Sequence, residues 1–243
     1  MRGKTALVTG GGLRIGREIA LALAAAGADV AVTYLRSQRE ARQTAAEIRR
    51  LGVRTLALGC DVREEKSVRN AVKKVIAEFG GLDLLVNNAA VYETVAFENI
   101  TVRQWDEMFA TNTRGPFLMS RAALKALRKR RGRIINLGSL GGLRPWATHA
   151  HYSASKAALT MLTQVMAKAW APEIAVNCVA PGMIDLRDGD GRDAAFLHHI
   201  AAKTPMKRNG SAHEVVHAVM FFATAPQFIT GQVLAVDGGL GLE

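Results

Sequence analysis

Cysteine is nearly absent from this sequence: Cys60 and Cys178 are the only two among 243 residues. Each sits in an apolar, strand-like stretch without C-x-x-C spacing, which argues against a disulfide framework or a thiolate metal site and predicts two reduced core thiols. Long apolar runs are also missing. No stretch of about 18 or more apolar residues occurs, and no charged-then-apolar signal pattern opens the chain. A membrane partner and export are therefore not expected, and a cytoplasmic location is. Acidic residues are in short supply, 21 against 32 Lys plus Arg, for a net charge of +11. That charge is spread along the chain. Its densest run, residues 128–133 (Arg128-Lys129-Arg130-Arg131-Gly132-Arg133), holds no aromatic residue to stack on bases, which argues against nucleic acid. The run falls where a helix should end, and cations there complement the helix dipole. An acidic carrier protein is the other partner it would suit.

No linker, internal repeat or low-complexity segment divides the chain, and 49% hydrophobic with 22% charged residues is ordinary for a soluble globular protein. One α/β domain spanning 1–243 is expected. Short apolar runs at 4–9, 29–35, 55–60, 82–87, 133–138, 174–179 and 233–236 read as about seven strands. Amphipathic stretches at 15–26, 40–51, 64–79, 101–110, 117–131 and 152–170 read as helices, with Asp61 as a start signal for the third. Pro116 breaks or starts a helix near Gly115. This alternation implies right-handed crossovers and a doubly wound parallel sheet with helices on both faces, binding ligands at the carboxyl ends of its strands. Residues 185–205 interrupt the rhythm with a polar, Gly-rich loop (Asp185, Arg187, Asp188, Asp190, Arg192) and a short helix at 192–203, read together as a substrate lid.

Tyr152 and Lys156 stand four residues apart, on one face of the sixth helix. An adjacent ammonium favours phenolate, so the pair is expected to lower the pKa of Tyr152 and make it a proton donor and acceptor near neutral pH. Thr9-Gly10-Gly11-Gly12-Leu13-Arg14-Ile15-Gly16 follows the first strand and opens the first helix, the place where backbone amides receive a diphosphate. The second strand ends without the Asp or Glu that would bind the ribose hydroxyls of NAD. It carries Tyr34, Arg36 and Ser37 instead, a guanidinium and a hydroxyl suited to a 2′-phosphate, and NADP(H) is expected.

These motifs, with Asp61 after the third strand, Asn87-Asn88-Ala89-Ala90 after the fourth, then Asn112, Ser139, Tyr152, Lys156 and Pro181-Gly182, stand in the order and spacing of the short-chain dehydrogenase/reductases. The sequence resembles that family over its whole length, down to Asp237-Gly238-Gly239. The resemblance implies a Rossmann-type fold and a catalytic set of Asn112, Ser139, Tyr152 and Lys156. Ser139 would bond the substrate carbonyl, Tyr152 would protonate its oxygen, Lys156 would hold the nicotinamide ribose, and Asn112 would hold a water in a proton relay. It also implies a cofactor set of Gly10, Gly12, Arg14, Ile15, Gly16, Tyr34, Arg36, Ser37, Asp61, Val62, Asn88, Ala89, Ala90, Tyr152, Lys156, Pro181, Gly182 and Ile184. Asp61 would accept from the adenine amino group, and Asn87 and its small neighbours would line the cofactor's passage. No metal is implied. Homotetramers are typical of the family, with residues 101–131 and 152–170 as interface candidates.

Two departures bear on the substrate. The family usually has glycine where this chain has Arg14, and an arginine there resembles bacterial pteridine reductases, as do Ala171-Pro172-Glu173-Ile174 and the stretch from Tyr34 to Ser37. Leu186 replaces a frequent threonine. Ser139 and the 128–131 cluster instead resemble 3-oxoacyl-(acyl-carrier-protein) reductases, although Glu173 stands where carrier-binding members often have a basic residue. The small-molecule substrate expected is a carbonyl, foremost a 3-oxoacyl group on acyl carrier protein, with a dihydropterin as the alternative. A non-catalytic NADP(H)-binding sensor is a third reading, disfavoured because all four catalytic residues are present. Trp146 is expected in a pocket wall, Trp105 and Trp170 in packing, and His149, His151, His198 and His199 as loop or surface residues.

Overall fold

The computed structural model of the chain describes residues 1–186 and 193–242. Seven strands form one sheet: β1 (Thr5–Val8), β2 (Asp29–Tyr34), β3 (Thr55–Gly59), β4 (Leu84–Asn87), β5 (Arg133–Leu137), β6 (Ala175–Pro181) and β9 (Val233–Val236). Their order is β3-β2-β1-β4-β5-β6-β9, and every pairing is parallel. Helices supply the crossovers: α1 (Arg14–Ala25), α2 (Gln38–Arg50), α3 (Glu65–Phe79), α4 (Val102–Phe109), α5 (Gly115–Arg130), α6 (Ala150–Trp170), α7 (Ala194–Lys203) and α8 (Ala212–Thr224). Two short strands, β7 (Ile184–Asp185) and β8 (Gly210–Ser211), pair with each other outside the main sheet.

The two-residue period of the strands splits the core in two. Along β1, Ala6 and Val8 join the layer of Ile19 and Leu23 from α1 and Val215, Val219 and Phe222 from α8. Leu7 between them joins the opposite layer, with Val68 and Val75 of α3, Met119 and Leu127 of α5 and Met166 of α6. Both faces are covered, so the central strands carry apolar residues continuously. Strand order reverses between β1 and β4, and the crevice at their carboxyl ends is where a doubly wound sheet receives ligands.

The expected strands and helices form, with ends shifted by a few residues. β6 runs on to Pro181 because β9 pairs with it that far, Pro181 opposite Val236. α3 starts at Glu65, with Glu64 as its N-cap, rather than at Asp61, whose carboxylate is taken by Arg63. Pro116 stands in the first turn of α5, directly after a turn of π-helix at Ala110–Arg114. The helix expected at 192–203 begins at Ala194, capped by the Asp193 carboxylate accepting from Ala195 N. Of the polar lid residues, Arg187, Asp188, Asp190 and Arg192 lie outside the described residues. Helix α8 and the β7–β8 pair had no counterpart among the expected elements. Cys60 and Cys178 are both free and buried, as expected of core thiols.

Candidate active site

The glycine turn is built by close approach. Gly10 has φ +63°, in the left-handed region, and a Cβ on Gly16 would stand 2.3 Å from the Gly10 carbonyl oxygen. A Cβ on Gly12 would meet the Ala41 backbone nitrogen at 2.9 Å. Asn88 ties this turn to the end of β4: its Nδ2 donates to the carbonyls of Thr9 (2.9 Å) and Gly10 (3.2 Å). Thr9 Oγ1 in turn accepts from the backbone N–H groups of Asn88 and Ala89. The result is a backbone cradle at the opening of α1 with no side chain in its floor, which fits a dinucleotide diphosphate.

Arg14, the first residue of α1, has φ +50°, a conformation that favours glycine. The backbone thus explains why related turns carry glycine here. At the far end of the crevice, half-buried Tyr34 ends β2, the neighbouring strand to β1, with exposed Arg36 and half-buried Ser37 just beyond it. Asp61 follows β3, one strand further out. Its carboxylate accepts from Arg63 N, Nε and Nη2 at 2.7–3.2 Å, and those bonds hold its pKa below the usual carboxylate range.

A cleft of about 390 Å3 opens at the β1/β4 switch. Among the expected residues, Arg14, Ile15, Asn88, Ala90, Ser139, Tyr152, Lys156, Pro181, Gly182 and Ile184 all line it. Ser139 stands two residues past the end of β5 as the cap of a short 3-10 turn, with Oγ accepting from Gly141 N at 3.1 Å, and it lines the cleft together with Tyr152. Lys156 is 3% exposed; its Nζ donates to the Leu137 carbonyl at 2.7 Å and lies 5.8 Å from the Tyr152 ring centroid.

The expected charge balance of this pair is reversed in the structure. Burial pushes the Tyr152 phenol up from its ordinary value, outweighing the opposite pull of Ser139. Burial likewise brings the Lys156 ammonium down to about 8. The ammonium donates to a backbone carbonyl rather than to the phenol.

Asn112 lies where α4 passes into α5 through one turn of π-helix, Ala110–Arg114. Its side chain is fully buried, with Oδ1 accepting from Val91 N (2.9 Å) and Nδ2 donating to Val91 O (2.9 Å) and Ser155 Oγ (3.1 Å). It therefore joins the segment after β4 to the turn of α6 that carries Lys156. Asn87 departs from expectation. Its amide points into the core, donating to Asn136 Oδ1 (2.8 Å) and Ser120 Oγ (3.2 Å), and it does not line the cleft.

Tyr92 had not been singled out. It lines the cleft, its ring meets that of Tyr152 edge-on at 5.0 Å, and its hydroxyl hydrogen-bonds His149 Nε2 at 2.5 Å. His149, expected to be an idle loop residue, is 5% exposed and also bonds Thr94 Oγ1 and Thr148 Oγ1, both at 2.9 Å. Burial and the neighbouring His151 lower its pKa, keeping it neutral. Trp146 completes this wall, as expected. The one sign of Tyr92 in the sequence was its distance of four residues past Asn88.

A family model described as enoyl-(acyl carrier protein) reductase matches residues 12–241. A 3-oxoacyl-[acyl-carrier-protein] reductase FabG of Staphylococcus aureus is 36% identical over 240 residues, 98% of each chain. This chain belongs to the short-chain dehydrogenase/reductase family. It is accordingly a nicotinamide-dependent oxidoreductase. A dehydrogenase/reductase from Sinorhizobium meliloti superposes with a TM-score of 0.93 at 37% identity, covering 99% of this chain and 96% of the other. A gluconate 5-dehydrogenase from Burkholderia cenocepacia, in complex with NADP and tartrate, superposes with a TM-score of 0.93 at 33% identity, covering 100% and 97%. Among the described residues, no helix is long and apolar enough to cross a membrane.

Proposed function

We propose that this protein is an NADPH-dependent carbonyl reductase whose substrate is a 3-oxoacyl thioester. The observation that carries the proposal is the convergence of Ser139, Tyr152 and Lys156 on one cleft. The Tyr152 phenol has the proton that a carbonyl oxygen needs as hydride reaches its carbon, which suits the site to reduction of a carbonyl. The bound nicotinamide would supply the hydride, and the protein orients and polarises. Ser139 Oγ positions the substrate oxygen, Tyr152 Oη donates its proton, and Lys156 Nζ would hold the nicotinamide ribose. The glycine turn, Asn88, Ala89, Ala90, Pro181, Gly182 and Ile184 would hold the remainder of the cofactor. Arg36 and Ser37 favour NADPH over NADH, since no carboxylate stands at the end of β2 to repel a 2′-phosphate. Asp61 would exchange part of its Arg63 contact for the adenine amino group.

The 3-oxoacyl reading draws on the FabG relatives and on the basic face at the end of α5. There Arg130 is engaged with the Gly80 carbonyl and Arg131 with Gln227, while Arg128 and Lys129 stay exposed and available to an acidic carrier. A second reading, reduction of a dihydropterin, is favoured by Arg14 sharing the cleft with the aromatic wall of Tyr92, Trp146 and His149. Such a wall suits a flat ring.

We infer a homotetramer as well. A larger groove of about 1010 Å3 runs between α4, α5 and α6, with Phe117, Met161 and Val165 exposed along it. Ser139, Tyr152 and Lys156 all lie outside it, and its exposed apolar residues, flanked by Arg63, Asp106, Glu107 and Arg114, suit a second copy of the chain.

NADPH oxidation with acetoacetyl thioester and with dihydrobiopterin at matched concentrations tests the substrate, and NADH in place of NADPH tests the cofactor. The first reading expects turnover of the thioester with NADPH. Preference for the pterin would transfer the assignment to the second reading, and cofactor binding without turnover of either would favour a sensor.

A further inference from the structure

Helix α8 carries a pair of histidines that the reductase reading leaves unused. His213 and His217 occupy positions i and i+4, both exposed, with their Nε2 atoms 2.9 Å apart and ring centroids 4.4 Å apart. Two nitrogens at that separation subtend about a right angle at an ion about 2.0–2.1 Å from each, the usual imidazole bond length to a divalent transition metal. We propose that His213 and His217 form a bidentate surface site for a divalent transition-metal ion of the zinc, nickel and copper type.

The helix under the pair is already fixed. Ser211 and Glu214 form a reciprocal cap at its start, Arg208 pairs with Glu214 at 2.6 Å, and Val215, Val216, Val219 and Phe222 lock the opposite face into the core. Binding thus demands little more than small ring rotations, and preorganisation favours affinity. The two rings now share one hydrogen bond, which needs an N–H on one and a lone pair on the other. On binding, the donating ring shifts its proton from Nε2 to Nδ1, and both Nε2 lone pairs face the ion. Both rings stay neutral and the ion keeps its charge.

The only carboxylate in this turn, Glu214, is committed to Ser211 N and Oγ and to both Arg208 Nη atoms. Water therefore completes the coordination, and two imidazoles with no carboxylate select against magnesium and calcium. The ion would brace the start of α8, which continues directly from β8. That strand pairs with β7, and Ile184 of β7 lines the cleft. The site is separate from the catalytic groups and does not depend on the reductase reading.

Calorimetric titration of the full chain with zinc chloride provides the test, with magnesium chloride as comparison. The expected result is one zinc ion per chain, no magnesium binding, and affinity at least about tenfold weaker in both His213→Ala and His217→Ala. Thermal melts should rise with zinc concentration in the parent and not in either variant, because only binding to the folded state stabilises it. Zinc binding equal to the parent's in both variants would overturn the proposal. So would loss of zinc binding on His199→Ala with the α8 variants unaffected, or no zinc heat in the parent.

Discussion

Arg14 bends its backbone to φ +50° at the mouth of the cleft, where an L side chain costs roughly 1–2 kcal/mol relative to glycine. Part of that is returned by the smaller entropy loss of a non-glycine residue on folding. Arg14→Gly is therefore expected to stabilise the protein by about 0.5–1 kcal/mol, read as a higher urea midpoint with an unchanged slope. A midpoint that falls would mean that contacts of the guanidinium outweigh the backbone strain. The meeting of Tyr152 and Lys156 was legible in their helical spacing, and that Ser139 would share their cleft was implied by the family resemblance. The direction of the Tyr152 shift was not legible. Spacing reports that an ammonium is near, whereas burial depends on everything packed around the ring. Tyr92 escaped notice for a similar reason, since its partner His149 is 57 positions away in the chain.

At the scale of elements, α8 shows both the reach and the limit of periodicity. Its sequence, Ala-His-Glu-Val-Val-His-Ala-Val-Met-Phe-Phe-Ala-Thr, is buried on one face and exposed at His213, His217, Phe221 and Thr224 on the other, but Phe221 interrupts the polar stripe and blurs the pattern. The available signal was Ser211 three residues before Glu214 ahead of an apolar run, a capping box. Glu214→Ala removes that cap and the Arg208 pair, and is expected to cost about 1 kcal/mol at neutral pH. The Glu214 pKa is depressed to about 2, chiefly by Arg208, so its contribution is present above the ordinary value of 4.5 and lost as pH falls through about 2. Urea midpoints measured between those limits should decline in the parent, and the gap between parent and variant should close. A gap that stays constant would place the effect elsewhere. Pro116 signalled a break near the π-helical turn at Ala110–Arg114, but the bonds of Asn112 to Val91 and Ser155 needed the fold.

For the whole molecule, alternation of strands and helices was enough to anticipate a parallel sheet covered on both faces. The order β3-β2-β1-β4-β5-β6-β9 is not encoded in any local pattern; it follows from which apolar faces meet across long separations. The exposed groove between α4, α5 and α6 sets a further expectation at this scale. Val165→Glu places a charge within it and should weaken the tetramer's dissociation constant by at least about tenfold, seen by sedimentation as smaller species. A parent that sediments as a monomer would contradict the assembly.

The central claim is that Tyr152 donates the proton in an NADPH-dependent carbonyl reduction. It is tested most directly by steady-state NADPH oxidation with acetoacetyl thioester in Tyr152→Phe, alongside NADPH binding measured by fluorescence. The account predicts a fall in kcat of about 10²–10⁴-fold with NADPH affinity retained. Turnover within a factor of about two of the parent, with the cofactor bound equally well, would contradict it.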